Sequence, residues 1–92
     1  MKRWTLKLKP SARRELRQLE GGPRQAALDL FEELIEEGPA IVEAIELRSN
    51  SDIWRVRFHD GYRMVYQVFE GQRLIRVLRI RRRSIAYEGM KT

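Results

Sequence analysis

Ile53-Trp54-Arg55-Val56-Arg57-Phe58, a turn at His59-Asp60-Gly61, Tyr62-Arg63-Met64-Val65-Tyr66-Gln67-Val68-Phe69, a turn at Glu70-Gly71-Gln72, and Arg73-Leu74-Ile75-Arg76-Val77-Leu78-Arg79-Ile80-Arg81-Arg82-Arg83 follow one another without interruption. These are three segments rich in β-branched and aromatic residues, separated by short Gly-containing turns. That is the pattern of an antiparallel meander. Side chains alternate along a strand, so Arg55 and Arg57 share one face. Arg63 lies just beyond the turn that reverses this strand, which makes Arg55 or Arg57 its neighbour across the pair. The end of the third segment returns Arg81, Arg82 and Arg83 to the same sheet. The aromatics Trp54, Phe58, Tyr62, Tyr66 and Phe69 alternate as core residues should; base stacking is the alternative use of such rings.

Outward from the meander, Ala44-Ile45-Glu46-Leu47 reads as a short strand, and residues 48–52 as a polar turn. Further back, Trp4-Thr5-Leu6-Lys7-Leu8 alternates and predicts a first strand. Pro10-Ser11 then offers a helix start with a capping hydroxyl, and Ala12, Leu16 and Leu19 repeat at helical spacing. Gly21-Gly22 is expected to end that helix, and Pro23 to open a second one. There, Ala27, Leu30, Phe31, Leu34 and Ile35 form one apolar stripe, and Gly38-Pro39 stops it. Asp29, Glu32, Glu33, Glu36 and Glu37 line the rest as a solvated face or as partners for arginines elsewhere. After Arg83 the strand character is lost, and a short turn or helical tail is expected. The layout predicts a single α+β domain over residues 1–92: N-terminal strand, helical hairpin, then a mostly antiparallel sheet with the helices on one face and the other face partly open.

The charge is uneven. Residues 1–47 carry eight Lys/Arg against nine Asp/Glu, while residues 48–92 carry eleven against four, and ten of those eleven are arginine. A surface built for solubility alone usually intersperses both signs. Arginine presents a planar fork that matches phosphate, so an anionic partner is expected, nucleic acid or an acidic protein segment. The chain has no cysteine and a single histidine, His59. That leaves no disulfide framework and no expected metal or cofactor site. No long apolar run exists, so neither a secretory signal nor a membrane span is expected, and the cytoplasm is the default location.

No nucleophile elbow, phosphate-binding glycine loop or histidine pair is present. What remains is arginine plus tyrosine. Guanidiniums bind a phosphodiester and stabilise the extra negative charge of its pentacoordinate transition state. RNA supplies its own nucleophile, the 2′-hydroxyl, so no metal is required. A tyrosine among arginines has its phenolate stabilised, which makes Tyr87 a candidate general base; a hydrophobic anchor for the tail is the alternative. His59 sits beside Asp60-Gly61, which is ordinary turn chemistry, although histidine is the commonest general base.

Trp54-Arg55-Val56-Arg57-Phe58, Gly61-Tyr62-Arg63-Met64-Val65-Tyr66-Gln67-Val68 and Val77-Leu78-Arg79-Ile80-Arg81-Arg82-Arg83, ending at Tyr87, resemble the RelE/ParE toxin superfamily, as do Pro10-Ser11-Ala12 and the Leu16/Leu19 helix. The most specific piece is Gly61-Tyr62-Arg63 followed by Val65-Tyr66, with an arginine-rich strand end and a nearby tyrosine. The resemblance implies a toxin of a bacterial type II toxin–antitoxin pair with a cognate antitoxin partner. For RelE-like members it implies a ribosome-dependent endoribonuclease that cleaves mRNA by 2′-hydroxyl attack; for ParE-like members, a DNA gyrase inhibitor without catalysis. A non-toxic, antitoxin-binding relative is the third option. Residue by residue, Arg55 and Arg57 occupy the basic pair that binds RNA, and Arg63 the arginine of the Gly-Tyr-Arg motif. Arg83 occupies the late arginine, with Arg81 and Arg82 as alternatives or RNA contacts, and Tyr87 the tyrosine. Two departures stand out. The pair is Arg where relatives carry Lys, and Arg81-Arg82 stands where many carry Gly-His. Arginine stays protonated, so it binds phosphate but makes a poor proton shuttle.

Overall fold

The computed structural model describes residues 3–41, 44–46 (backbone alone) and 52–82. In chain order the elements are β1 (Thr5–Leu8), α1 (Pro10–Gln18), α2 (Gly21–Glu37), β2 (Ala44–Glu46), β3 (Ile53–Phe58), β4 (Tyr62–Phe69), a single 3-10 turn (Glu70–Gln72) and β5 (Leu74–Arg82). The five strands form one sheet in the order β1-β5-β4-β3-β2. β1 runs parallel to β5, and the other pairs are antiparallel. The expected α+β architecture is therefore present, and β4, which carries Arg63, is the central strand.

Alternation explains the layers. Val56, Phe58, Met64, Tyr66, Val68, Ile75, Val77 and Ile80 point to one side and are buried, and there they meet Ala12 of α1 and Ala27, Leu30, Phe31 and Leu34 of α2. Burying a large aliphatic side chain contributes about 1.5–3 kcal/mol, so this one layer carries the stability of the domain. Tyr66 is fully buried, and its hydroxyl donates to the Pro39 carbonyl at 2.6 Å. Burial, with the Glu33 carboxylate adding to it, pushes the Tyr66 phenol well above its ordinary value. Phe69 departs from the expected core role: it pairs with Leu74 on the opposite face from buried Val68 and Ile75.

The sequence signals at the helix ends act differently from expectation. Ser11 makes no cap; Lys9 is the N-cap residue of α1, and the Ser11 hydroxyl instead donates to the Leu78 carbonyl at 3.0 Å. The Gly21-Gly22 pair does not end α1. The chain turns out of the helix at Leu19, whose backbone is extended (φ −78°, ψ 149°), and the glycines form the first turn of α2. Gly38 does stop α2, at φ 95°. The carboxylates of α2 remain largely a solvated face, with one exposed pair between Glu36 and Arg3 at 3.2 Å.

Along β5 the register slips. Val65 pairs with Arg79 but Tyr66 pairs with Val77, so Leu78 is an extra residue. This β-bulge lets Val77 and Ile80 both face the core although they are three residues apart. It also carries Arg79 and Arg81 to the open face, where strict alternation from Val77 would have buried them. β1 ends at Leu8, and α1 completes the backbone edge of β5 beyond it. Lys9 N–H donates to the Val77 carbonyl at 2.9 Å, Ser11 reaches Leu78, and the Glu15 carboxylate accepts the Ile80 N–H at 2.7 Å.

Candidate functional site

The pairing register assembles the site. Arg57 on β3 stands directly opposite Arg63 on β4, and Arg63 directly opposite Arg81 on β5. Residues paired in this way share a face, so three guanidinium-bearing side chains form a row across the three adjacent strands. Two inter-strand spacings separate its ends, about 10 Å. One rung along the strands, Arg55 and Arg79 flank Val65 on the same face, and Arg76 lies opposite Gln67 a rung further. This is the face that α1 and α2 leave uncovered. Like charges directly opposite one another on a sheet repel.

Among the described residues, Glu15 provides a counter-charge at the β5 end of the row. Its Oε2 accepts from Arg79 Nε at 3.1 Å and Nη2 at 2.8 Å, and lies 3.6 Å from Arg81 Nε. The hydrogen bond to Glu15 raises the already high pKa of the Arg79 guanidinium. Beside this cluster, Glu15, Gln18, Leu19, Tyr62, Ile80, Arg81 and Arg82 line a cleft of about 360 Å³.

Of the residues singled out in the sequence, Arg55, Arg57, Arg63 and Arg81 thus come together on one surface. Arg82 does not join them. It pairs with Tyr62 on the helix-covered side, with its guanidinium carbon 5.7 Å from the Tyr62 ring centroid, a cation–π contact at the mouth of the cleft. Arg83 and Tyr87 lie outside the described residues, as do the expected tail and the strand residue Leu47. Arg83 follows Arg82 directly in the chain. His59 stands at the tip of the β3–β4 hairpin, where it and Asp60 take left-handed backbone angles (φ 44° and 42°). Histidine and aspartate are enriched in that region. The His59 ring lies edge-on to Tyr62, 6.1 Å between centroids, and against Gly22, where an added Cβ would come within 2.6 Å of Nε2. It therefore faces α2, away from the arginine row. Sequence reading missed Glu15, whose partners are more than sixty positions away. No helix among the described residues is long and apolar enough to cross a membrane.

The family model describing the ParE toxin of the type II toxin-antitoxin system parDE matches residues 6–87. Among solved structures, the isolated E. coli RelE toxin is 28% identical, with 96% of each chain covered and a TM-score of 0.71. The intact E. coli RelBE toxin–antitoxin complex gives 24% identity over 86% of this chain and 95% of that chain, with a TM-score of 0.73. A YoeB/ParE toxin from Agrobacterium tumefaciens gives 19% identity over 85% and 96%, with a TM-score of 0.70. No curated protein sequence matches the chain. A family match over nearly the whole chain, on a fold shared with these toxins, places the protein in the ParE toxin family of type II toxin–antitoxin systems, within the RelE/ParE superfamily.

Proposed function

We propose that this toxin is a ribosome-dependent endoribonuclease that cleaves mRNA without a metal ion. The observation that carries the reading is the row Arg57–Arg63–Arg81, with Arg55 beside it, on the uncovered face of the sheet. A ribose 2′-hydroxyl attacks the adjacent phosphorus, the bond to the 5′-oxygen of the next nucleotide breaks, and a 2′,3′-cyclic phosphate and a 5′-hydroxyl remain. The attacking hydroxyl loses a proton, and the leaving 5′-oxygen takes one from water. Arg63 and Arg83 stabilise the charge that builds on the non-bridging oxygens, and Tyr87 takes the proton of the nucleophile. Arg55, Arg57 and Arg81 hold the backbone in register, while Arg82, from the other side of β5, contacts the strand as it leaves the cleft. Arginine at these positions binds and stabilises; it does not shuttle protons.

A cognate antitoxin is the expected partner. An acidic or amphipathic segment laid over the open face would neutralise the same arginines, and the solved RelBE complex is a toxin bound to its antitoxin. A second reading has an observation of its own: the matching family model is that of ParE toxins, which favours inhibition of DNA gyrase by binding alone. Inducing the toxin and mapping the 5′ ends of cellular mRNA separates the two. Codon-registered cuts within minutes, lost with Arg83→Ala and with Tyr87→Phe, support the ribonuclease. Stalled replication without cuts, with both variants still toxic, supports gyrase. Growth unaffected by induction removes both.

A further inference from the structure

Glu15 belongs to a surface helix, yet its carboxylate is turned onto the sheet and its side chain is only 18% exposed, while Arg13 and Arg14 beside it are exposed. Three consecutive residues of β5 converge on it. The Ile80 N–H donates to Oε1 at 2.7 Å, Arg79 donates two hydrogen bonds to Oε2, and Arg81 Nε stands 3.6 Å from that same oxygen. The backbone bond fixes the carboxylate, and the carboxylate in turn fixes two long side chains that would otherwise repel each other. Arg81 is the β5 end of the arginine row and lines the cleft next to Glu15.

We infer that Glu15 is a positioning residue, which holds the Arg81 guanidinium at the end of the row while lowering the ground-state affinity of that face for phosphate. Preorganised donors stabilise developing charge because they need not reorient during reaction. The same carboxylate partly neutralises the guanidinium that an incoming phosphodiester meets, so binding is weaker than the row alone would give. The cleavage half of this inference rests on the ribonuclease reading, and the binding half stands without it.

Glu15→Gln separates the two roles. Glutamine keeps an oxygen to accept the Ile80 N–H but loses the charge. The probe is an oligoribonucleotide carrying a 2′-deoxy sugar at the cleaved position, which binds but cannot react. Glu15→Gln is expected to bind this probe several-fold tighter, with a steeper salt dependence, and to cleave ribosome-bound mRNA at least tenfold more slowly in a single turnover. In the Arg79→Ala/Arg81→Ala background, which lacks both guanidiniums that Glu15 holds, the same substitution is expected to change neither quantity appreciably. Weaker or unchanged binding of the probe by folded Glu15→Gln overturns the inference, as do equal effects in both backgrounds, which mark a purely structural residue. If the wild type cleaves nothing, the ribonuclease reading fails and Glu15 is judged on the probe alone by the same cycle. Should Glu15→Gln not fold, Glu15→Asp carries the test. It keeps the charge and shortens the reach, so cleavage falls without any gain in affinity, and an unchanged cleavage rate overturns the inference.

Discussion

Arg57→Thr is expected to make the protein more stable and worse at its task. Arg57 is exposed and has Arg63 directly opposite it, so one like-charged pair is relieved. Such a pair costs about 0.2–1 kcal/mol, and threonine suits an exposed strand position better than arginine does. A gain of roughly 0.5 kcal/mol corresponds to about 2–4 °C in Tm for a domain of this size. The gain is electrostatic, so it should shrink in 1 M salt, where the screening length is about 3 Å. Binding to single-stranded RNA should weaken, and the slope of log K against log salt should fall by about 0.7, the value for one neutralised phosphate. Calorimetry at low and high salt gives the first half, and a salt titration of the 2′-deoxy probe gives the second. A Tm that is unchanged or lower at low salt refutes the repulsive row. An unchanged slope refutes the assignment of this face to RNA.

Two predictions concern the scaffold. Tyr66 keeps its proton in the folded state after the unfolded chain has released it at about pH 10. Stability should therefore be full below about pH 10 and fall above it by roughly 1.4 kcal/mol per pH unit until the folded phenol ionises; urea titrations across that range check it. Tyr66→Phe should flatten that decline and cost about 1–3 kcal/mol at neutral pH, because the Pro39 carbonyl loses its donor. Gly38→Ala should destabilise by about 1–3 kcal/mol, since φ is 95° there and the added Cβ would stand 3.1 Å from Trp4 Nε1. A melting curve like that of the wild type would refute the close approach.

The meander was legible because two physical signals coincide in it: alternation of apolar and charged residues, and glycine-bearing turns. β3 and β4 begin and end where the residue pattern changes, and the pairing of Arg57 with Arg63 follows from the turn length. The helix stripe of α2 was legible for the same kind of reason. What could not be read is what depends on distant chain. The bulge at Leu78 shifts the alternation of β5 and decides that Arg81, not Arg82, shares a face with Arg63. Ser11 looks like a cap by local chemistry, but the free edge of β5 claims its hydroxyl. Glu15 looks like one more helix-surface charge, and only the packing of α1 along that edge reveals its role. Phe69 carries a core residue's composition at a position whose register points to the open face.

The most direct measurement of the central claim uses ribosome-bound mRNA with a single 2′-deoxy sugar immediately 5′ of the phosphate that the toxin cuts. If the arginine face works on the phosphodiester of an RNA whose own hydroxyl attacks, the unmodified message yields a fragment ending in a 2′,3′-cyclic phosphate, and the substituted message stays whole at that position. Cleavage of the substituted message at the same bond, or fragments of the unmodified message ending in a 3′-hydroxyl, would contradict the account.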